Sequence, residues 1–167
     1  METTGIPYSV SGDLERTRYY MGGCWTFLAR GGDTGGRFAL IEARLRKGLE
    51  PPPHTHTHED ELYYLLEGDM QFVVGGKTAE LKSGDCIYLP RGIAHQFKLQ
   101  TDTARILIQM APAGLEDMFW ELSKPADKID LPPRPAGPPS PELLEKLKGL
   151  QMKFGIVGMQ NSNIKGM

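Results

Sequence analysis

Between Tyr19 and Met110 the chain alternates short apolar runs with glycine-bearing turns, and this rhythm constrains its fold more than any other feature. The runs are CWTFLAR (24–30), RFALIEARL (37–45), ELYYLL (61–66), MQFVV (70–74), DCIYLP (85–90), HQFKL (95–99) and ARILIQM (104–110). All are rich in β-branched, aromatic or leucine residues, and turn signals separate them at Gly31–Gly36, Gly48–Pro53, Gly68–Asp69, Gly75–Gly76, Ser83–Gly84 and Arg91–Gly92. Gly75–Gly76, between VV and KTAEL, suits a two-residue hairpin turn, because glycine accepts the positive φ such turns need. Many short strands at this spacing, with little helix among them, predict an all-β sandwich or barrel.

The pattern changes after Pro112. Leu115, Met118, Phe119 and Leu122 fall at i, i+3, i+4 and i+7, one stripe of a short helix. Seven of the thirteen prolines then crowd into Pro125–Pro141. Proline cannot donate a ladder hydrogen bond and favours extended backbone, so this stretch reads as a tether. Ser140 followed by Pro141 offers an N-cap and a first-turn proline for a helix with Leu143, Leu144, Leu147 and Leu150 on one side. Residues 1–124 are read as a β-barrel domain, and 125–167 as a proline-rich arm with a C-terminal helix. Two destinations for the arm stand open: it packs on its own barrel, or it crosses to a second subunit.

At 167 residues the chain suits one domain with an appendage. A domain of that size buries roughly 70% of its unfolded surface and needs no disulfides to hold a core. The formal net charge of −2, with acids and bases interspersed, argues against extended contact with nucleic acid or an anionic membrane. The densest basic group, Arg44, Arg46 and Lys47, has Glu42 and Glu50 close by. Cys24 and Cys86 each sit in an apolar stretch and read as two buried free thiols, although spacing leaves a bridge open. The N-terminal METTGIPYSVSG lacks the basic start and apolar core of a secretory signal, and no apolar run has the length to span a bilayer. A soluble cytoplasmic protein is the expectation.

All four histidines fall in two segments, PPPHTHTHEDELYYLLEG and GDCIYLPRGIAHQF. In an extended backbone His54, His56 and His58 share one face, and two imidazoles one residue apart can reach a single ion. Glu61 opens an apolar strand, where an unpartnered inward carboxylate is costly. A bound metal ion removes that cost.

The two segments carry a family resemblance. The first matches G-x5-H-x-H-x4-E-x6-G on Gly48, His54, His56, Glu61 and Gly68; the second matches G-x5-P-x-G-x2-H on Gly84, Pro90, Gly92 and His95. These motifs resemble those of the cupins, and the PPPHxHxxEDE segment with its aromatic strand resembles the single-domain, quercetin 2,3-dioxygenase-like group. Leu99 stands where the second motif usually ends in asparagine, a position that is not a metal ligand in the family. The resemblance implies a double-stranded β-helix, or jelly-roll barrel, and a homodimer. It also implies one divalent transition metal ion (Fe, Mn, Ni, Co, Cu or Zn) held by His54, His56, Glu61 and His95. His58 does not fit the spacing and falls at a turn, exposed or behind the ligands.

Strand alternation predicts what surrounds the ion. With Glu61 inward, Tyr63 and Leu65 follow; with His95 inward, Phe97 and Leu99 follow. Phe27, Phe38, Ile106, Ile108 and Met110 are further interior candidates whose register stays open. Tyr63, Phe97, Phe27 and Met110 are taken as the substrate-binding set, with Tyr63 foremost because a phenol in an apolar core wants a partner. An aromatic and aliphatic lining favours a flat or apolar small molecule. By resemblance, Glu61 also takes a proton from a substrate hydroxyl, which implies a dioxygenase for a hydroxylated aromatic or enol-type compound. The alternatives are an oxygen-independent, metal-dependent isomerase or lyase, and a non-catalytic small-molecule binding module.

Overall fold

Two antiparallel sheets hold the apolar residues of the chain between them. The structure, a computed structural model, describes residues 7–10 and 13–158. A 3-10 turn at Leu14–Arg16 leads into β1 (Thr17–Tyr20) and β2 (Gly23–Ala29). One helical turn, α1 (Gly31–Thr34), precedes β3 (Ala39–Arg46), β4 (His54–His56), β5 (Asp60–Glu67), β6 (Asp69–Val74) and β7 (Lys77–Lys82). There follow β8 (Cys86–Leu89), β9 (His95–Leu99), β10 (Thr103–Ala111), α2 (Glu116–Leu122), β11 (Lys124–Pro125), α3 (Pro141–Lys153) and β12 (Ile156–Gly158). The seven-stranded sheet runs β11-β1-β2-β3-β10-β5-β8 and the five-stranded sheet β12-β4-β9-β6-β7. The result is a jelly-roll barrel with a short C-terminal helix. No described helix is long and apolar enough to cross a membrane.

Period-two alternation fills the interior. Ala39, Ile41 and Ala43 of β3, Tyr63 and Leu65 of β5, Met70 and Phe72 of β6, Phe97 and Leu99 of β9, and Ile106, Ile108 and Met110 of β10 are all buried. Phe38 lies one residue ahead of β3, out of phase with its inward face, and is only half-buried. Val74 pairs with Lys77 across Gly75–Gly76, whose φ values of 54° and 80° are those a two-residue hairpin requires. The seven apolar runs all form strands. β1, β4, β7, β11 and β12 lie outside those runs: β4 is the extended His-Thr-His segment, β7 is a largely polar edge strand, and β11 and β12 are two or three residues long, held by tertiary pairing.

The two cysteines are free, but only Cys24 is buried. Cys86 is exposed, which corrects the expectation of two buried thiols. The inward phase of β8 falls on Ile87 and Leu89, and this leaves Cys86 on the outer face opposite the exposed Tyr64.

Within the chain, the arm packs on its own barrel. β11 pairs with β1, the Tyr19 hydroxyl donates to Asp127, and Arg46 donates to the Pro132 carbonyl at 3.2 Å. Ser140 caps α3 by accepting from Leu143 N at 3.2 Å, with Pro141 in its first turn. After α3 the chain turns at Gly155 and lays β12 against β4, with Ile156 opposite His56 and Gly158 opposite His54. Both the backbone N–H and the hydroxyl of Thr57 donate to the Gly155 carbonyl, at 3.0 and 2.9 Å. Gly155 has φ 71°, and a Cβ there would strike the Thr57 hydroxyl and meet the His58 ring at 2.7 Å.

Gly155→Ala is therefore expected to lower stability by ~1–3 kcal/mol through backbone strain and displacement of β12. Gly137→Ala, at a position with open space around it, should change stability little. Urea unfolding midpoints of the two variants check the contrast.

Candidate metal centre

Three strands from both sheets bring the two histidine segments together. β4 is a His-Thr-His strand, so His54 and His56 share a face. His95, the first residue of β9, pairs directly with His54. Glu61, near the start of β5, faces them from the other sheet. His56, His95 and Glu61 are each 3% exposed, whereas His54 is half-buried and is the least enclosed of the four.

Each of the three histidines offers a ring nitrogen, and these nitrogens lie within 4.8 Å of one another, a grouping that could hold a metal ion. The rings of His54 lie 4.9 and 4.6 Å from those of His56 and His95. Glu61 Oε2 stands 3.4 Å from both His56 Nε2 and His95 Nε2. That is longer than the ordinary N–H···O range of about 2.7–3.2 Å.

Hydrogen bonds on the far side of each ring decide which nitrogen faces inward. His54 Nδ1–H donates to the Pro52 carbonyl at 2.9 Å, and His95 Nδ1–H to the Ile93 carbonyl at 3.1 Å. His56 Nδ1–H donates to Glu59 Oε1 at 2.6 Å. Carbonyl and carboxylate oxygens only accept, so the ring proton sits on Nδ1 and each neutral ring turns a bare Nε2 toward the cluster. His56 Nε2, His95 Nε2 and Glu61 Oε2 are three of the six buried side-chain polar atoms without a partner among the described residues. The other three lie on separate residues, Trp25, Arg30 and Arg46. A lone buried polar atom costs about 1–3 kcal/mol, and lone pairs facing lone pairs repel in addition. A cation at their meeting point reverses both effects, and imidazole nitrogens with a carboxylate oxygen suit a divalent transition metal.

Electrostatics agree with an anion among imidazoles. Burial alone would raise the Glu61 carboxyl, but the surrounding imidazoles of His95, His56 and His54 hold it below the usual range. Burial pushes His54 down to about 4, which keeps it neutral. His56 is raised because the Glu59 bond and the Glu61 charge outweigh its burial. Burial, with the Glu61 charge, drives the Tyr63 phenol well above its ordinary value.

Comparison with known proteins places this geometry in a family. Residues 41–109, the span holding both histidine segments, match the Cupin domain family. These residues are a cupin domain. The quercetin 2,3-dioxygenase of Bacillus subtilis (strain 168) is 25% identical over 121 residues, covering 72% of this chain and 36% of that enzyme. The quercetin 2,3-dioxygenase of Aspergillus japonicus is 30% identical over 105 residues, covering 59% of this chain and 30% of that enzyme. The chain thus spans about a third of the length of these two relatives. The solved structure of KdgF from Halomonas sp. superposes with a TM-score of 0.57 at 17% identity, covering 67% of this chain and 97% of that one. At that identity the likeness speaks for the fold.

The cupin domain brings most of the expected site residues into one place. Met110 and Leu89 are the cross-strand neighbours of Glu61. Tyr63, Phe97 and Phe72 form an aromatic group one inward position beyond Glu61 and His95, with ring centroids 5.4–6.0 Å apart. The Tyr63 hydroxyl finds no hydrogen-bond partner among the described residues. Phe27 lies on β2, with β3 and β10 between it and β5, and packs edge-on at 5.1 Å against Trp120 of α2. Arg18 and Arg30 in turn each lie over the Trp120 ring, at 4.4 and 4.2 Å from its centroid. His58 is exposed and stands outside the cluster beside Gly155.

Sequence reasoning passed over two neighbours of Glu61. In the run Glu59-Asp60-Glu61, each acid has a different partner. Glu59 is bound to His56, and Asp60 takes a forked pair from Arg91, Nε at 3.1 Å and a terminal nitrogen at 2.8 Å. Arg91 N–H also donates to Asp60 at 2.8 Å, and Arg91 reaches the Ala111 carbonyl at 3.3 Å. Asp60–Arg91 thereby ties the first histidine segment to the second. The signal was present in the sequence as three consecutive acids entering a strand.

The Arg91 fork pulls the Asp60 carboxyl from 3.8 to about 2. A depressed carboxyl stabilises the fold above its unfolded value, and that contribution fades as pH falls through the folded value. Asp60→Asn is accordingly expected to be less stable than wild type at neutral pH. The difference should be flat above about pH 5 and shrink between about pH 4 and pH 2. Urea midpoints of the two proteins across that range check it.

Proposed function

We propose that this chain is a metal-dependent dioxygenase of small hydroxylated aromatic or enol-type compounds. His54, His56, His95 and Glu61 would hold one divalent transition metal ion. The observation that carries this reading is the convergence of buried, partnerless nitrogen and oxygen atoms on one point between the sheets. Similarity to two quercetin 2,3-dioxygenases supports the choice of reaction. When bound, a transition metal supplies Lewis acidity and, if redox-active, a path for electrons between substrate and dioxygen.

The protein's own groups divide the remaining work. Glu61 is held in its carboxylate form inside an apolar wall, so it is placed to accept the proton of a substrate hydroxyl. Tyr63 stays protonated at any physiological pH and, two residues along the same face, can donate a hydrogen bond to a substrate oxygen. Met110, Phe97 and Leu89 give an apolar surround that excludes water and favours a flat organic molecule over a highly charged one. His54, the least enclosed of the four, marks the side from which a small molecule would approach.

Oxygen uptake by metal-loaded protein over a panel of flavonols, catechols and β-diketones tests the reading. Metal-dependent uptake is expected, and Glu61→Gln at matched metal content should lower kcat by ~100-fold or more, the scale of a lost general base. Turnover at an unchanged rate without oxygen would contradict it in favour of an isomerase or lyase. A tight ligand returned chemically unchanged would indicate a binding module.

A further inference from the structure

The three imidazoles of the cluster are not held alike. His54 and His95 rest their Nδ1–H groups on neutral backbone carbonyls, Pro52 at 2.9 Å and Ile93 at 3.1 Å. His56 alone rests on a carboxylate, Glu59, at 2.6 Å, the shortest of the three bonds. Glu59 is only 3% exposed, and its one hydrogen bond among the described residues is to His56. Burying a carboxylate is costly, and a carbonyl would orient the ring equally well, as it does for the other two. A charged partner adds something a carbonyl cannot: a charge-assisted bond that pushes electron density onto the opposite ring nitrogen.

The backbone around His56 is already fixed. Gly92 N–H donates to the His56 carbonyl at 2.7 Å, and Ile156 of β12 pairs with it from the other side. The freedom left to His56 is ring rotation and tautomer exchange, and Glu59 removes both from three residues downstream.

We propose that Glu59 is a positioning residue for the metal site. Its carboxylate locks His56 with Nε2 aimed into the cluster and makes that nitrogen a stronger donor than those of His54 and His95. This rests on the reading of the cluster as a metal site. Glu59, rather than Glu61, then sets how tightly the ion is held from the β4 side, while Glu61 remains free to exchange protons with substrate.

The test compares wild type with Glu59→Gln and Glu59→Ala. Glutamine keeps an oxygen that can accept Nδ1–H but carries no charge; alanine removes both. Two quantities are read: the Co(II) dissociation constant by competition with a chromophoric chelator, and the His56 ring tautomer by nitrogen-15 shifts of histidine-labelled, metal-free protein. Wild type should show a single Nδ1–H tautomer at His56. Co(II) binding should weaken by ~10–100-fold in Glu59→Ala, with Glu59→Gln intermediate and its tautomer retained. Should Glu59→Ala fail to fold, Glu59→Gln decides alone through its weakened affinity. Co(II) binding within about twofold of wild type in the folded variants, with the tautomer unchanged, would overturn the role of Glu59 alone. Absence of Co(II) binding by wild type would overturn the metal site and the role of Glu59 together.

Discussion

A buried carboxylate oxygen that faces two imidazole nitrogens, all three without partners, is the constraint around which the rest of the molecule is arranged. Each ring already spends its Nδ1 proton on an outward acceptor, so the inward atoms cannot satisfy one another. A cation at their meeting point would complete such an arrangement in an apolar barrel. Held in any other way, these groups would be replaced at little cost by the aliphatic residues that fill the same inward positions elsewhere.

The architecture supplies what that cluster needs. Both sheets contribute, so the site sits where β4 and β9 face β5, and its geometry is only as rigid as the contact between sheets. The Asp60–Arg91 fork ties the start of β5 to the loop that carries the chain from β8 to β9, and β12 covers β4 on the flank away from β9. Behind the cluster, Tyr63, Phe72 and Phe97 pack against one another and close the interior with aromatic surface. The C-terminal arm thus does more than trail from the barrel: its last described residues pair with the strand that carries two of the histidines.

Much of this was legible in residue order alone. Alternation identified seven strands and placed Glu61, Tyr63, His95 and Phe97 on inward faces, because a half-buried strand repeats every two residues. Motif spacing separated His54 and His56 from His58, and the structure sets His58 apart beside Gly155. What escaped was chosen by tertiary contact. β12 is three residues long and exists as a strand because β4 is there to receive it. Cys86 turned outward because one residue of register decides the face, and an apolar run leaves that register open. Glu59 and Asp60 went unassigned, because it is the folded chain that sets His56 and Arg91 beside them.

The central claim is that the histidine–glutamate cluster is a single transition-metal site, and elemental analysis tests it most directly. Purified wild-type protein, exposed to a mixture of divalent transition metals and then desalted, should retain about one ion per chain, and His54→Ala and His95→Ala should lose it while remaining folded. Full occupancy in both variants, or a folded wild type that retains no metal, would contradict the account.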